Sequence, residues 1–263
     1  LPDPVLQQLE HFGNPTLGVN DAFKSVCRYW DRITHPAQII QSLPQALATM
    51  LDPADCGPAF IALPQDVQGW SYEFPLSFFE KKVHRIRRIS PDPLETEEAA
   101  ALLLTAQRPM IIAGGGVQYS GAVSELTTFA ETHNIPVVET IAGRANMIAT
   151  HPLNIGPIGV TGSDSANTIA AQADVVIAVG TRLQDFTTGS WTAFDAQARF
   201  IAINTARFDA LKHMSQPIVG DAKTAMPMLS AALESLRAPD AWMQIAQDER
   251  RKWDNYVARN VAP

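Results

Sequence analysis

The sequence predicts an α/β fold, namely a three-layer, doubly wound domain with a mostly parallel sheet of six strands. From Pro91 onward, segments with helical periodicity alternate with short β-branched runs, which is typical of parallel βαβ units. These runs are apolar on both faces, so helices must cover the sheet above and below. A glycine-rich turn follows the first run, and ligands of doubly wound folds bind at the carboxyl ends of the strands.

The predicted elements follow one another in a regular order. Asp92 is placed to cap the first helix, and Asp221 to cap a last helix that extends to Leu236. Strands are predicted at 109–113, 136–139, 174–180, 199–204 and 217–220, with a further apolar stretch near 155–160, and helices at 94–107, 122–133 and 163–172. These elements supply about six strands and define a domain over residues 91–237.

The segments outside this domain are too small to fold alone. Residues 1–70 contain one predicted helix, 36–51, and one predicted strand, 58–63, which cannot bury their apolar faces by themselves. We expect this stretch to dock on the following domain or on a part that the chain does not include. Residues 71–90 are the connector, and residues 238–263, with the spacing of an amphipathic helix, begin another linker.

Composition and charge exclude several classes of protein. With 46% hydrophobic and 18% charged residues among 263, the chain can bury a sizeable core. Its formal net charge of −7 would repel a phosphate backbone, so we expect no nucleic-acid partner. Two cysteines are too few for a disulfide scaffold, which predicts a cytoplasmic protein. No apolar run approaches the roughly 18 residues that cross a bilayer, so we expect no membrane partner.

The turn Gly114-Gly115-Gly116 is the first candidate for ligand binding. It joins a strand to a helix, where backbone N–H groups can approach a pyrophosphate. In a Gly-x-Gly-x-x-Gly frame, Tyr119 replaces the third glycine, while Glu139 ends the next strand near the position of a ribose-binding acid. Because tight strand-to-helix turns use glycine in any case, nucleotide binding and simple turn formation are both open.

The long polar loop after the central strand is the second candidate. It begins with Gly180 and Thr181 and ends at Trp191, and loops of this kind often carry binding sites. Arg182 could grip a phosphate or carboxylate with two hydrogen bonds while Asp185 orients it. Alternatively, Arg182 and Asp185 form an ion pair that only braces the loop.

A third set of backbone N–H groups precedes a predicted helix. Gly162 and Ser163 end the stretch Gly159-Val160-Thr161-Gly162-Ser163, which could contribute to an anion site. Ser163 also stands where a helix cap is expected, and we favour this interpretation.

No self-sufficient catalytic set is found in the sequence. It contains no Gly-x-Ser-x-Gly elbow, no phosphate loop ending in Gly-Lys-Ser or Gly-Lys-Thr, and no His-Glu-x-x-His zinc motif. We expect the scattered histidines, His84, His133, His151 and His213, to be surface or packed residues. We therefore assign no catalytic residue and no metal ligand.

Several motifs carry a resemblance to a known family over nearly the whole chain. They are Asn20-Asp21-Ala22-Phe23, Arg28-Tyr29-Trp30-Asp31-Arg32-Ile33, the strand region 57–68, the triple-glycine strand and the loop from Gly180 to Trp191. On these motifs the chain resembles the thiamine-diphosphate-dependent enzymes of the acetolactate synthase type. The long loop and the 57–68 strand are specific, whereas the triple glycine alone would be weak.

The resemblance implies a longer parent enzyme with three domains. Enzymes of this family have a pyrimidine-binding, a middle and a diphosphate-binding domain, so residues 1–70 would end the first and residues 91–237 would be the second. The chain has no initiator Met and stops just after a predicted helix, so we expect a fragment of a homo-oligomer, inactive alone. The sites for thiamine diphosphate and magnesium would lie outside this chain.

Within the family, the resemblance points to hydrolases that open a cyclic diketone in inositol breakdown by cleaving a carbon–carbon bond. Their chemistry belongs to the cofactor, whose thiazolium carbanion attacks a carbonyl and then serves as electron sink. The alternative is a FAD-, ADP- or NAD-binding module of a lyase or transferase, since acetolactate synthases bind FAD through a similar turn and Arg-bearing loop. The candidate cofactor-binding residues are Gly114, Gly115, Gly116, Gly180, Thr181, Arg182, Asp185, Gly162 and Ser163.

Overall fold

The chain divides into two compact units, Leu1–Arg87 and Arg88–Pro263, in a computed structural model that describes Gly13 and residues 17–260. The ends of the predicted segments 1–70 and 238–263 extend beyond the described residues. The predicted domain lies within the second unit.

The first unit is built on two parallel strands. Strand β1 is Tyr29–Arg32, helix α1 is Ile39–Met50, strand β2 is Ala59–Ala62 and helix α2 is Gln65–Gln68. Short 3-10 helices lie at Val19–Ser25, Pro36–Gln38 and Leu76–Phe79. The structure therefore contains the helix and the strand that the sequence predicts here.

Strand β1 does not follow from the sequence pattern, because Tyr-Trp-Asp-Arg ends in two charged residues and shows no run of buried positions. Its pairing is set up by the amide of Arg28, which donates to the carbonyl of Pro58 at 2.8 Å. On one face, the ring of Trp30 lies parallel to that of Phe60, with the centroids 6.4 Å apart. The correction to the prediction is that the first unit has two strands and not one.

The second unit alternates helices with strands. In chain order these are α3 (Pro93–Leu103), β3 (Pro109–Ala113), α4 (Gly116–Ser120), α5 (Val123–His133), β4 (Val137–Glu139), β5 (Asn154–Pro157), α6 (Asp164–Ala170), β6 (Val175–Val179), α7 (Asp185–Thr188), β7 (Arg199–Asn204), α8 (Arg207–Ala210), β8 (Gln216–Val219), α9 (Ala222–Leu233) and α10 (Asp240–Asn260). Short 3-10 helices lie at Ile141–Gly143 and Lys212–Met214. All predicted strands are confirmed, and α4, α7 and α8 are short helices that the pattern does not predict.

The six strands form one sheet in the order β5-β4-β3-β6-β7-β8, and every neighbouring pair is parallel. The chain winds from β3 outward to β5, returns to β6 beside β3, and then winds outward to β8. This confirms the doubly wound fold. The carboxyl ends of β3 and β6 form the point at which the winding direction changes, where such folds bind ligands.

The two central strands hold the core. All five residues of β3 and all five of β6 are buried. Across the strands, Ile111 pairs with Ile177, and Ile177 pairs with Ile201, each with no exposed surface. Each such side chain contributes about 1.5–3 kcal/mol by burial, so the central strands dominate the stability of the second unit.

Helix caps fix where the flanking helices begin and end. Asp92 accepts from the amide of Leu94 at 2.9 Å, and Asp221 accepts from the amide of Lys223 at 2.9 Å, so both predicted caps are formed. Helix α9 ends at Leu233, three residues before the predicted end, because Glu234 takes a left-handed φ of 46°.

Helix α10 belongs to the second unit although the sequence assigns 238–263 to a linker. The indole N–H of Trp242, which is 2% exposed, donates to the carbonyl of Pro109 at 2.8 Å. Arg250 donates to the carbonyl of Asn154 at 2.9 Å, at the start of β5. With 21 residues α10 is the longest helix, and none of the described helices is both long and apolar enough to cross a bilayer.

Candidate functional site

The candidate site lies at the carboxyl edge of the sheet, where the loops after β3, β4, β5 and β6 meet. The glycine turn follows β3, and the long polar loop follows β6, so the switch point brings the first two sequence candidates together. The Gly162–Ser163 stretch follows β5 at the far end of the same edge.

The glycine turn packs directly on the backbone of the loop after β6. A Cβ atom added at Gly114 would lie 2.3 Å from the carbonyl oxygen of Gly180, and one added at Gly116 would lie 2.6 Å from the Cα atom of Gly180. The amide of Gly116 donates to the Gly180 carbonyl at 2.9 Å. Contact between two backbones therefore requires glycine here, whether or not a ligand binds.

Several backbone N–H groups at this edge are already bonded within the protein. Gly114 donates to Val179 at 2.8 Å, and Gly180 donates to Ile203 at 2.9 Å, which extends the ladder of the sheet. The amides of Gly115, Thr181 and Arg182 have no hydrogen-bond partner among residues 17–260. These three amides are therefore free to donate to a ligand.

Arg182 and Asp185, the two charged candidates in the loop after β6, do not pair with each other. Arg182 and Asp185 are both exposed, and within the described part of the chain they form no ion pair with each other. The turn between them is shaped by Leu183, which is buried, has a left-handed φ of 47°, and donates its amide to the Thr181 hydroxyl at 3.3 Å. The bracing ion pair is therefore not formed, and the Arg182 guanidinium is available for an anion.

The third candidate stretch forms a helix cap. Ser163 is fully buried, accepts from the amide of Ala166 at 3.2 Å, and so caps α6. A Cβ atom added at Gly162 would lie 2.6 Å from the carbonyl of Pro157. A Cβ atom at Gly159, whose φ is 112°, would lie 2.0 Å from the carbonyl of Phe186, so the loop after β6 reaches the loop after β5.

A cluster of buried polar residues lies next to the glycine turn, and the sequence does not predict it. Glu139 is 2% exposed and accepts from the amide of Met147 at 3.0 Å, with Arg144 at 3.7 Å, so its carboxylate is bonded within the domain. Asn146 is fully buried and donates to the carbonyl of Gly114 at 2.8 Å. Among the described residues, only the Oδ1 atom of Asn146 is a buried side-chain polar atom without a partner. Asn146 lies in a loop, where no helical or strand periodicity indicates which residues are buried.

Two of the four histidines singled out from the sequence, His133 and His213, pack against aromatic rings. His133 is fully buried, with Nδ1 2.7 Å from the carbonyl of Leu236 and Nε2 2.8 Å from the Ser230 hydroxyl. Burial, aided by the nearby Lys212 charge, lowers the pKa of His213 below its usual value. No group of three or more His, Cys, Asp or Glu side chains among the described residues could hold a metal ion.

The sheet order and the glycine-lined switch point define a Rossmann-like domain of the kind that cofactor-dependent enzymes use. The chain belongs to the thiamine pyrophosphate enzymes, because the family model for the central domain of those enzymes matches residues 96–229.

Curated relatives extend the similarity beyond the central domain. A hydrolase from Clostridium perfringens (strain ATCC 13124) is 45% identical over 259 residues, which is 98% of this chain and 40% of that protein. A relative from Geobacillus thermodenitrificans is 46% identical over 88% of this chain and 36% of its own length, and one from Bacillus cereus (strain AH820) is 42% identical over 98% and 40%. All three are named 3D-(3,5/4)-trihydroxycyclohexane-1,2-dione hydrolase. The chain thus spans about two fifths of the length of these relatives.

Proposed function

We propose that this chain forms the central part of a thiamine-diphosphate-dependent hydrolase that opens a trihydroxycyclohexane-1,2-dione ring in inositol breakdown. The observation that carries the proposal is the 45% identity over 98% of the chain with a relative named for that activity. Hydrolysis adds the elements of water across the bond between the two carbonyl carbons. One carbon then ends as a carboxylic acid and the other as an aldehyde, so the atoms balance.

The role that we assign to the described residues is to position the reacting parts of the enzyme. Thiamine diphosphate supplies the reactive carbanion when bound, and a protein orients it and excludes side reactions. The family model that matches this chain is that of the central domain, and the chain spans 40% of the Clostridium perfringens relative, so most of the length that could hold thiamine diphosphate and its magnesium ion lies outside it. We therefore propose that both bind to the remaining length of a parent protein like the relatives, and that this chain alone does not turn over the dione.

A domain replacement tests this proposal. The segment of the Clostridium perfringens hydrolase that aligns with this chain would be exchanged for it, and the chimera would be assayed for loss of the dione with thiamine diphosphate and magnesium. We expect turnover that depends on the cofactor. A chimera that folds and binds thiamine diphosphate but leaves the dione intact would contradict the proposal, and carbon–carbon bond formation from pyruvate would favour a lyase or transferase.

A second candidate function is binding of a nucleotide phosphate, as in FAD or ADP, at the switch point. The observation that favours it is that Arg182 is exposed and forms no ion pair among the described residues, while the amides of Gly115, Thr181 and Arg182 have no partner there. Titration of the chain with ADP and with FAD tests this function. We expect Arg182→Ala to weaken any binding about tenfold or more, in line with the loss of a charge-assisted pair. Affinity that is unchanged in this variant would remove the role of Arg182.

We also propose that the parent is a cytoplasmic homo-oligomer. Cys27 and Cys56, the two cysteines of the chain, are both free thiols, as is usual in a reducing compartment. Fluorescence of a tagged full-length protein in cells and its mass in solution test the two parts of this proposal.

A further inference from the structure

The loop after β6 ends in a turn with an unusual backbone. Gly189, Ser190 and Trp191 have left-handed φ values of 55°, 53° and 68°. Glycine adopts such values without penalty, but a serine, and above all a bulky tryptophan, does so only at a cost in free energy. Contacts of the side chain must therefore hold Trp191 in this conformation.

The Trp191 side chain makes these contacts with three aromatic rings. Its ring centroid lies 5.3 Å from that of Phe200 and 5.8 Å from that of Phe194, at the edge of the core. The imidazole of His213 is closer still, with its centroid 3.7 Å from that of the indole. Since Phe200 lies on β7 and His213 lies between α8 and β8, Trp191 fixes the end of the loop to two later parts of the chain.

His213 meets Trp191 from a second turn with a left-handed backbone. His213 and Met214 have φ values of 57° and 56°, so residues in this conformation lie on both sides of the contact between the rings. The Met214 side chain is 99% exposed and gains no packing from this conformation. We conclude that the contact of His213 with Trp191 is the interaction that offsets the strain of both turns.

The contact contains one group that titrates near neutral pH, the imidazole of His213. Within the described part of the chain this ring forms no hydrogen bond and no ion pair. The charged residues of the adjoining elements, namely Arg182 and Asp185 of the loop after β6 and Arg207 and Asp209 of α8, are thus not paired with it. No carboxylate among them stabilises the protonated ring.

The nearest charge along the chain opposes protonation. Lys212 precedes His213, and its ammonium pairs with Asp209. Burial, followed by the Lys212 charge, lowers the pKa of His213 below its usual value of 6.5. A lowered pKa means that the closed contact favours the neutral imidazole. The contribution of the contact is therefore fully present above about pH 6.5 and is lost as the pH falls through the lowered pKa.

We propose that Trp191 and His213 form a pH-sensitive latch, which holds the end of the loop after β6 while His213 is neutral and releases it when His213 is protonated. A cation can also be attracted to the face of an indole ring. Here the protonated ring is exposed to water and lies beside the Lys212 ammonium, so hydration and repulsion outweigh that attraction. This inference does not depend on the hydrolase activity.

Nuclear magnetic resonance of the whole chain between about pH 7.5 and about pH 5.5 tests the proposal. The indole N–H signal of Trp191, assigned by its loss in Trp191→Phe, should shift with the same midpoint as the ring signals of His213. The Thr192 and Ala193 amides are hydrogen-bonded within the turn, and their protection factors against hydrogen exchange should fall over the same range. The protection factors of the β3 amides should not change.

Two substitutions of histidine separate the latch from a general effect of acid. His213→Phe keeps an aromatic ring against Trp191 but cannot be charged, so the turn should stay protected at both ends of the pH range. The matched control is His84→Phe, at an exposed position of the connector, which should keep the response of the wild type. Circular dichroism at the lower pH checks that each chain is folded.

Trp191→Leu measures the same coupling from the other side of the contact. Without the indole, His213 is less buried, so its pKa should rise toward the usual value. Three results would each overturn the proposal. They are protection of Thr192 and Ala193 that stays constant or rises as His213 is protonated, a pH response that persists in His213→Phe, and a pKa of His213 that is the same in Trp191→Leu as in the wild type.

Discussion

The two units of the chain differ in how their strands are covered. In the second unit every residue of β3 and β6 is buried, whereas in the first unit no residue of β1 is buried and only Ala62 of β2 is. A parallel sheet requires cover on both faces. The second unit supplies that cover with its own helices, while the described residues of the first unit supply little of it.

The two units should therefore differ in how they unfold. A unit with a fully buried sheet opens only by global unfolding, while a unit with two half-buried strands opens locally at lower free energy. The second unit is therefore the scaffold of the chain, and substitutions in its core or at its strand ends should have the largest effects.

Gly116→Val should produce the largest effect, because its Cβ atom would lie 2.6 Å from the Cα atom of Gly180 and 2.9 Å from its carbonyl oxygen. We expect the free energy of unfolding to fall by about 3 kcal/mol or more, as measured by urea denaturation followed by circular dichroism. The control is Gly69→Ala in the first unit, where the nearest atom is 3.4 Å away and φ is −83°. It should change stability by less than about 1 kcal/mol. Equal effects would remove the distinction between the units.

His133→Ala should have the next largest effect. The variant leaves the carbonyl of Leu236 and the Ser230 hydroxyl without their buried partner and opens a cavity at the end of α5. We expect a loss of about 2–3 kcal/mol in the same unfolding experiment. His84→Ala, at an exposed position of the connector, is the control and should stay within about 0.5 kcal/mol of the wild type.

The two Asp caps of the second unit provide an internal comparison. Asp92→Ala should cost about 1 kcal/mol, the usual value for a helix cap. Asp221→Ala should cost about 2 kcal/mol or more, because the buried Asp221 carboxylate also bonds to Arg88 at 3.0 Å. A double-mutant cycle with Arg88→Ala measures the coupling energy between Asp221 and Arg88. A coupling energy near zero would show that Arg88 does not anchor the start of the unit.

Tyr29→Phe should have the smallest effect and should stay within the first unit. It removes the hydrogen bond between the Tyr29 hydroxyl and the Ser42 hydroxyl, 2.9 Å apart, at a cost of about 1 kcal/mol. Hydrogen exchange should accelerate at the amides of β1 and β2 and remain unchanged at β3 and β6. Faster exchange at β3 as well would mean that the two units unfold together.

Much of the fold can be predicted from the sequence because the strands of the second unit are apolar on both faces. Residues 175–179 of the run 174–180 are all buried, and a continuous apolar run of this length is recognisable as a strand from the sequence alone. Strand β1 cannot be found in this way, since its residues are only partly buried and it is defined by pairing with β2. The start and cap of α9 are local and predictable, whereas its end depends on the positive φ of Glu234, which the sequence does not reveal.

The candidate site can be predicted only in outline. The predicted fold already indicates which strand ends meet. The contact between Gly116 and Gly180 cannot be predicted, because it joins residues far apart in the sequence. The pairing of Arg182 with Asp185 is plausible from spacing, yet the left-handed turn at Leu183 does not bring them together. The binding roles of the glycines, Arg182 and Asp185 stay predictions.

Calorimetric titration of the chain with thiamine diphosphate and magnesium tests the central claim most directly. If the second unit is a scaffold whose cofactor binds elsewhere in a parent enzyme, the titration should show no saturable heat while the protein remains folded. Saturable binding in the micromolar range would contradict the claim, because it would place a thiamine site on this chain.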